Sequence, residues 1–227
     1  MHRRSRTLLL GLATVVVLAF ALVVLLDRPG TRSETGASAT ASGTAAAEEE
    51  RASSGFDGAL LPSGVGAPDF TLTDQGGRRV SLGQYRGRVT ILTFLSSVCQ
   101  PTCPLIAQQI RGALDELGEA GGHTVPVLIV SASPAADTPA VVRRFLGEAA
   151  LTGRVEYLTG TLSELRPVWR AYGIVPSLIG EADSPHAASV LLIDRSGQKR
   201  DLFQVEELTP EGLAHDVRKL EGDPAHP

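Results

Sequence analysis

One stretch of this chain restricts its fold more than any other. Val89–Leu95 is a continuous apolar and β-branched run, the pattern of a strand buried on both faces. Cys99-Gln100-Pro101-Thr102-Cys103-Pro104 follows, and then Leu105, Ile106, Ile110, Ala113, Leu114 and Leu117 recur at helical spacing, with Gly118 and Gly121-Gly122 near the end. The order is central strand, loop with both cysteines, helix. A strand buried on two faces needs a layer on each side of its sheet, which directs the chain to an α/β architecture.

The flanking sequence agrees. Phe70–Leu72 and Arg79–Leu82 surround Asp74-Gln75-Gly76-Gly77 and read as a hairpin with a glycine turn. Val125–Ser131 is a second buried strand, and Thr138-Pro139 opens a second helix in the favoured order of N-cap then proline. Arg154–Leu158 reads as a short strand and Thr161–Tyr172 as a third helix, with Pro167 early enough to be tolerated. Ser189–Asp194 and Lys199–Gln204 form a hairpin around Arg195-Ser196-Gly197-Gln198, and Thr209–Leu220 is a closing helix. The expected fold is therefore a thioredoxin-like α/β domain with an N-terminal β-hairpin.

A chain of 227 residues accommodates one such domain plus appendages. Arg3, Arg4 and Arg6 precede Leu8–Leu26, which carries no charge. At about 1.5 Å per residue that run covers roughly 28 Å, close to the hydrocarbon thickness of a bilayer. The basic flank stays on the cytoplasmic side, so the rest of the chain is placed outside. A cleaved signal peptide is the alternative, with small-residue sites such as Ala37-Ser38-Ala39 available. From Gly30 to Gly55 the composition is almost wholly Ala, Ser, Thr, Gly and Glu, which builds no core. The expected organisation is residues 1–6 as a basic cytoplasmic N-terminus, 7–26 as a single transmembrane anchor and 27–64 as a flexible linker. Residues 65–222 then form the folded domain and 223–227 a tail. The expected location is the cytoplasmic membrane, with the C-terminal domain extracytoplasmic. A formal net charge of −4 argues against a nucleic-acid partner.

The cysteines carry the chemistry. A helix N-terminus favours the thiolate, which is both the nucleophile of disulfide exchange and the soft ligand of copper(I). With three intervening residues the sulfurs either clasp a metal or close on each other. A staple over so short a loop restrains little of the unfolded chain, so stability alone explains the pair poorly. Of the five histidines, His2, His123, His215 and His226 read as surface residues. His186 lies in Ser184-Pro185-His186-Ala187-Ala188, the loop entering the strand at Ser189, which in a thioredoxin-like sheet faces the cysteine loop. Two thiolates and one imidazole make a three-ligand copper site.

Several motifs together resemble the SCO/SenC family. They are Gly66-Ala67-Pro68-Asp69-Phe70-Thr71-Leu72-Thr73-Asp74-Gln75, Cys99 to Pro104, and Asp137-Thr138-Pro139. Leu158-Thr159-Gly160-Thr161, Ala171-Tyr172-Gly173 and His186, six residues before Leu192-Ile193-Asp194, complete the pattern. The resemblance implies a membrane-anchored, thioredoxin-fold copper chaperone that helps mature the copper A centre in subunit II of cytochrome c oxidase. It implies Cys99, Cys103 and His186 as ligands of copper(I) or copper(II). The chain departs from the family pattern at Ser133-Pro134, where the family has Asp-Pro, so an acidic group near the site is either missing or supplied elsewhere, with Asp137 as the candidate. It departs again at Ser184-Pro185, where an aromatic and an acidic residue are usual.

Two other readings compete. In an extracytoplasmic thiol:disulfide oxidoreductase acting on oxidase subunit II or other exported proteins, Cys99 and Cys103 are the catalytic pair and His186 is dispensable. Ala188 stands where such reductases carry a cis-proline. In a thiol peroxidase, Ser96 would stand for the hydroxyl residue three places before the reactive cysteine, but the accompanying proline is replaced by Leu92.

Overall fold

The computed structural model describes residues 53–119, 125–174 and 189–222. All belong to one unit, residues 47–227. The run at 7–26 lies outside the described residues, and among those described no helix is long and apolar enough to cross a membrane.

The strands are β1 (Ala59–Leu60), β2 (Thr71–Thr73), β3 (Arg79–Ser81), β4 (Thr90–Leu95), β5 (Val127–Ser131), β6 (Glu156–Leu158), β7 (Ser189–Ile193) and β8 (Lys199–Gln204). The helices are α1 (Thr102–Glu119), α2 (Pro139–Glu148), α3 (Leu162–Tyr172) and α4 (Pro210–Gly222). Six strands form one sheet in the order β1-β8-β7-β4-β5-β6, and β2-β3 stands apart as the expected hairpin. β4 and β5 pair in parallel with Leu92 opposite Leu128, whereas β7 lies antiparallel to β4 with Leu191 opposite Leu92.

Every residue of β4 and β5 is buried, as the continuous apolar runs require. Their side chains alternate between two cores. Ile91, Leu95, Val127 and Ile129 join Cys99, Cys103 and the buried faces of α1, α2 and α4. Leu92, Phe94, Leu128 and Val130 join the β2-β3 hairpin and Leu165, Val168 and Trp169 of α3. Trp169 also donates its indole N–H to the Ser131 carbonyl at 2.9 Å, so α3 is tied to β5 by a buried hydrogen bond.

The helix boundaries follow from capping. Thr138 caps α2 ahead of Pro139, and Thr161 with Glu164 makes a reciprocal capping box for α3. Gly173 closes α3 with φ of 69°, a conformation that costs a side-chain-bearing residue and costs glycine little.

Ordered sequence was expected to begin near Val65, yet the described chain already packs at Phe56, which is buried in the core that holds the cysteines. Asp57 and Gly58 donate their amides to the Asp216 carboxylate, and Ala59–Leu60 pairs with β8. Two residues of strand are too few to show a hydrophobic period, which is why the sequence concealed β1.

Candidate functional site

β4 ends at Leu95, and the chain turns through Ser96–Val98 before Cys99 and the start of α1. The turn closes by the Cys99 amide donating to the Ser96 carbonyl at 3.3 Å, and the Leu105 amide donates to Pro101 O. Cys99 and Cys103 are joined as a disulfide with their Cα atoms 5.7 Å apart. Of the two arrangements left open by the spacing, the structure holds the closed one. The Cys103 amide, at the first turn of α1, donates to Cys99 Sγ at 3.2 Å. A helix-terminal N–H aimed at a sulfur is the local feature that favours negative charge there once the bond is opened.

Both cysteines are buried, but Val98 at 45% and Leu105 at 44% exposure flank them. From Val89 to Ile110 the sequence contains no charged residue. Among the described residues, the sulfurs thus sit beside an apolar rim of Val98 and Leu105.

Under this rim lies a polar cluster. Asp137, 2% exposed, accepts the Ser97 amide at 2.8 Å and the Ser97 hydroxyl at 2.6 Å on Oδ1. Its Oδ2 accepts the hydroxyls of Ser131 at 2.5 Å and Tyr157 at 2.8 Å. The Tyr157 hydroxyl also lies 3.0 Å from the Leu95 carbonyl at the end of β4. Burial pushes the Tyr157 phenol well above its ordinary range, and the adjacent Asp137 charge adds to the effect. Asp137-Thr138-Pro139 flagged this carboxylate as the candidate acidic group near the site, but its partners were not legible. Ser97, Ser131 and Tyr157 carry no motif of their own, and only folding brings them together. Ser133 keeps its turn through backbone alone, its carbonyl accepting the amides of Ala136 and Asp137.

His186, with Ser184, Pro185 and Ala188, lies outside the described residues. Among the described residues, Asp57, His215 and Asp216 form one compact group of metal-ligating types. His215 Nδ1 stands 3.0 Å from Asp57 and 2.9 Å from Asp216. The Asp216 oxygens already receive the Asp57 and Gly58 amides, so this group serves to dock the N-terminal segment on α4.

The sequence matches the SCO1/SenC family across residues 62–221, well over half of the chain. The chain belongs to the SCO1/SenC family. Within it, the SCO1/SenC domain here is 29% identical over 142 residues to the mitochondrial protein SCO2 of Saccharomyces cerevisiae, covering 59% of this chain and 46% of that protein. The chain therefore spans about half the length of this relative. The structure of yeast Sco1 with copper bound aligns with a TM-score of 0.62 at 22% identity, covering 72% of this chain and 92% of that one, a likeness of fold. Peroxiredoxin Bcp of Escherichia coli is 31% identical over 146 residues, 63% of this chain and 85% of that protein. The SCO1/SenC domain thus shares its mixed α/β, thioredoxin-like scaffold with proteins of thiol redox chemistry.

Proposed function

We propose that this SCO1/SenC protein is a copper-binding metallochaperone acting in cytochrome c oxidase assembly. In this reading Cys99, Cys103 and His186 hold the ion and deliver it to the copper A site of oxidase subunit II. The observation that carries it is the buried Cys99–Cys103 pair at the end of β4, with a helix-terminal amide on Cys99 Sγ and the exposed apolar side chains of Val98 and Leu105 beside it. The donor chemistry fits the cargo: two thiolates are soft ligands suited to copper(I), and an imidazole suits either oxidation state. Binding needs the sulfurs free, so copper uptake belongs to the reduced chain alone. Bradyrhizobium japonicum ScoI, whose structure holds copper and which is 27% identical to this chain, supports the same assignment. The Leu8–Leu26 run, in this reading, holds the chain to the cytoplasmic membrane with the domain outside.

Copper titration of the full chain tests the assignment. The reduced form is expected to take up one ion per chain and the oxidised form none. His186→Ala is expected to leave both thiols titratable while weakening copper retention, since it removes one of three ligands. Equal binding by oxidised and reduced chains would end the proposal.

The closed disulfide favours a second reading, a thiol:disulfide oxidoreductase. Cys99 as thiolate attacks a target disulfide and forms a mixed disulfide. Cys103 then displaces the target sulfur, leaving the target as a dithiol and the Cys99–Cys103 bond re-formed. That cycle does not require His186, so full reductase activity in His186→Ala together with normal oxidase loading would select it.

A further inference from the structure

Among the described residues, the hydrogen-bond donors to Asp137, a carboxylate buried under the cysteine loop, are all neutral: one amide and three hydroxyls. Burying a carboxylate carries a desolvation cost that these bonds must offset, and an apolar residue of similar size would avoid the cost. Its placement shows what the cost supports. Among the described residues Oδ1 is bound only by Ser97, two residues before Cys99, while Oδ2 is bound by Ser131 on β5 and Tyr157 on β6. The carboxylate clamps the turn that carries Cys99 to the two strands behind it.

We propose that Asp137 is a positioning residue for the Cys99–Cys103 pair: through Ser97 it fixes the turn carrying Cys99 and so sets how readily the disulfide opens. This rests on the reading that the pair is the working centre, whether it serves copper transfer or disulfide exchange. Opening consumes two electrons and two protons, which dithiothreitol supplies as it closes to its own cyclic disulfide, leaving two thiols on the protein. Without the Asp137 clamp the turn in which the closed pair is held loosens, and this favours the reduced form.

Asp137→Ala removes the clamp, whereas Asp137→Asn keeps it. The amide oxygen still accepts from Ser97, and its NH2 donates to the Ser131 and Tyr157 hydroxyls, which serve equally as acceptors. Ser97→Ala removes one bond on the loop side, and Tyr157→Phe removes the hydroxyl's contacts to Asp137 and to the Leu95 carbonyl on the strand side.

The test is the dithiol–disulfide equilibrium of the full chain against graded dithiothreitol, with melting temperature measured in parallel. Asp137→Ala is expected to shift the equilibrium toward the dithiol at least tenfold, about 30 mV for a two-electron couple, and Asp137→Asn to restore it to within a few-fold of wild type. Ser97→Ala is expected to shift it several-fold in the same direction as Asp137→Ala, and Tyr157→Phe to leave it near wild type despite a similar loss of melting temperature. Unchanged equilibria in Asp137→Ala and Ser97→Ala would overturn the proposal. So would shifts that follow melting temperature in all variants, Tyr157→Phe included, because that is the signature of a merely structural carboxylate. If Asp137→Ala does not fold, the contrast between Ser97→Ala and Tyr157→Phe decides. Copper titration of the wild type is read separately: no uptake removes the chaperone reading and leaves this equilibrium test standing.

Discussion

Reduction of the Cys99–Cys103 bond should leave the fold standing, and the expected cost can be worked from the structure. The bond joins residues with a sequence separation of 4, so it restrains a very short loop of the unfolded chain. The chain-entropy relation gives about 2 kcal/mol for such a closure, against ~4.7 kcal/mol for a hundred-residue loop. Cys99 and Cys103 are 7% and 6% exposed in the closed form, and free thiols behave as small apolar groups, so they keep their places in the core. For a domain of this size each kcal/mol corresponds to roughly 2–4 °C, which sets the expected loss at about 4–8 °C in Tm. The assay is thermal unfolding of the full chain, followed by circular dichroism, with and without a phosphine reductant. Copper(I) supplied at a hundred times its Kd should return about 2.7 kcal/mol to the reduced form and none to the oxidised one. A drop above about 15 °C on reduction would refute the reasoning, because a loss several times the entropic figure marks a structural staple rather than a pair that cycles. A reduced chain whose Tm ignores copper would refute the metal assignment.

Two further outcomes are expected. Burial alone would raise the Asp194 carboxyl, but hydrogen bonds from Ser196, Gln198 and Arg200 outweigh it and hold it below its ordinary 3.8. Its contribution to stability is then complete above the unfolded value and is lost as pH falls through the folded one. Asp194→Asn should therefore destabilise the β7-β8 turn by roughly 1 kcal/mol at neutral pH, with the difference from wild type shrinking in melts as pH falls below 3.8; a constant difference across pH would sink the assignment. Externally added protease should release the domain from intact protoplasts, since the Leu8–Leu26 run is expected to hold it outside the membrane; a protected domain, or a mature chain beginning within the Ala/Ser linker, would contradict the anchor.

What the sequence determined by itself is local. The apolar run Val89–Leu95, the helical spacing after Pro104 and the caps at Thr138 and Thr161 each express a preference settled within a few residues, and the corresponding elements lie where those signals place them. The Cys99–Cys103 pair was legible for the same reason: its spacing and its position between strand and helix are read along the chain.

Tertiary structure alone decided what depends on distant contacts. Insertion of β7 antiparallel beside β4, whose other neighbour β5 is parallel, follows from packing across the whole sheet. The docking of Phe56 and Ala59–Leu60 needed α4 and β8, about 150 residues away in the chain, to supply their partners. The open or closed state of the sulfurs was undetermined by spacing and was fixed only once the turn from Ser96 to Cys99 had a shape. The grip of Asp137 on Ser97, 40 residues apart, has no signature in sequence. A buried carboxylate is tolerable only where several donors converge, and that convergence exists only after β4, β5 and β6 have assembled.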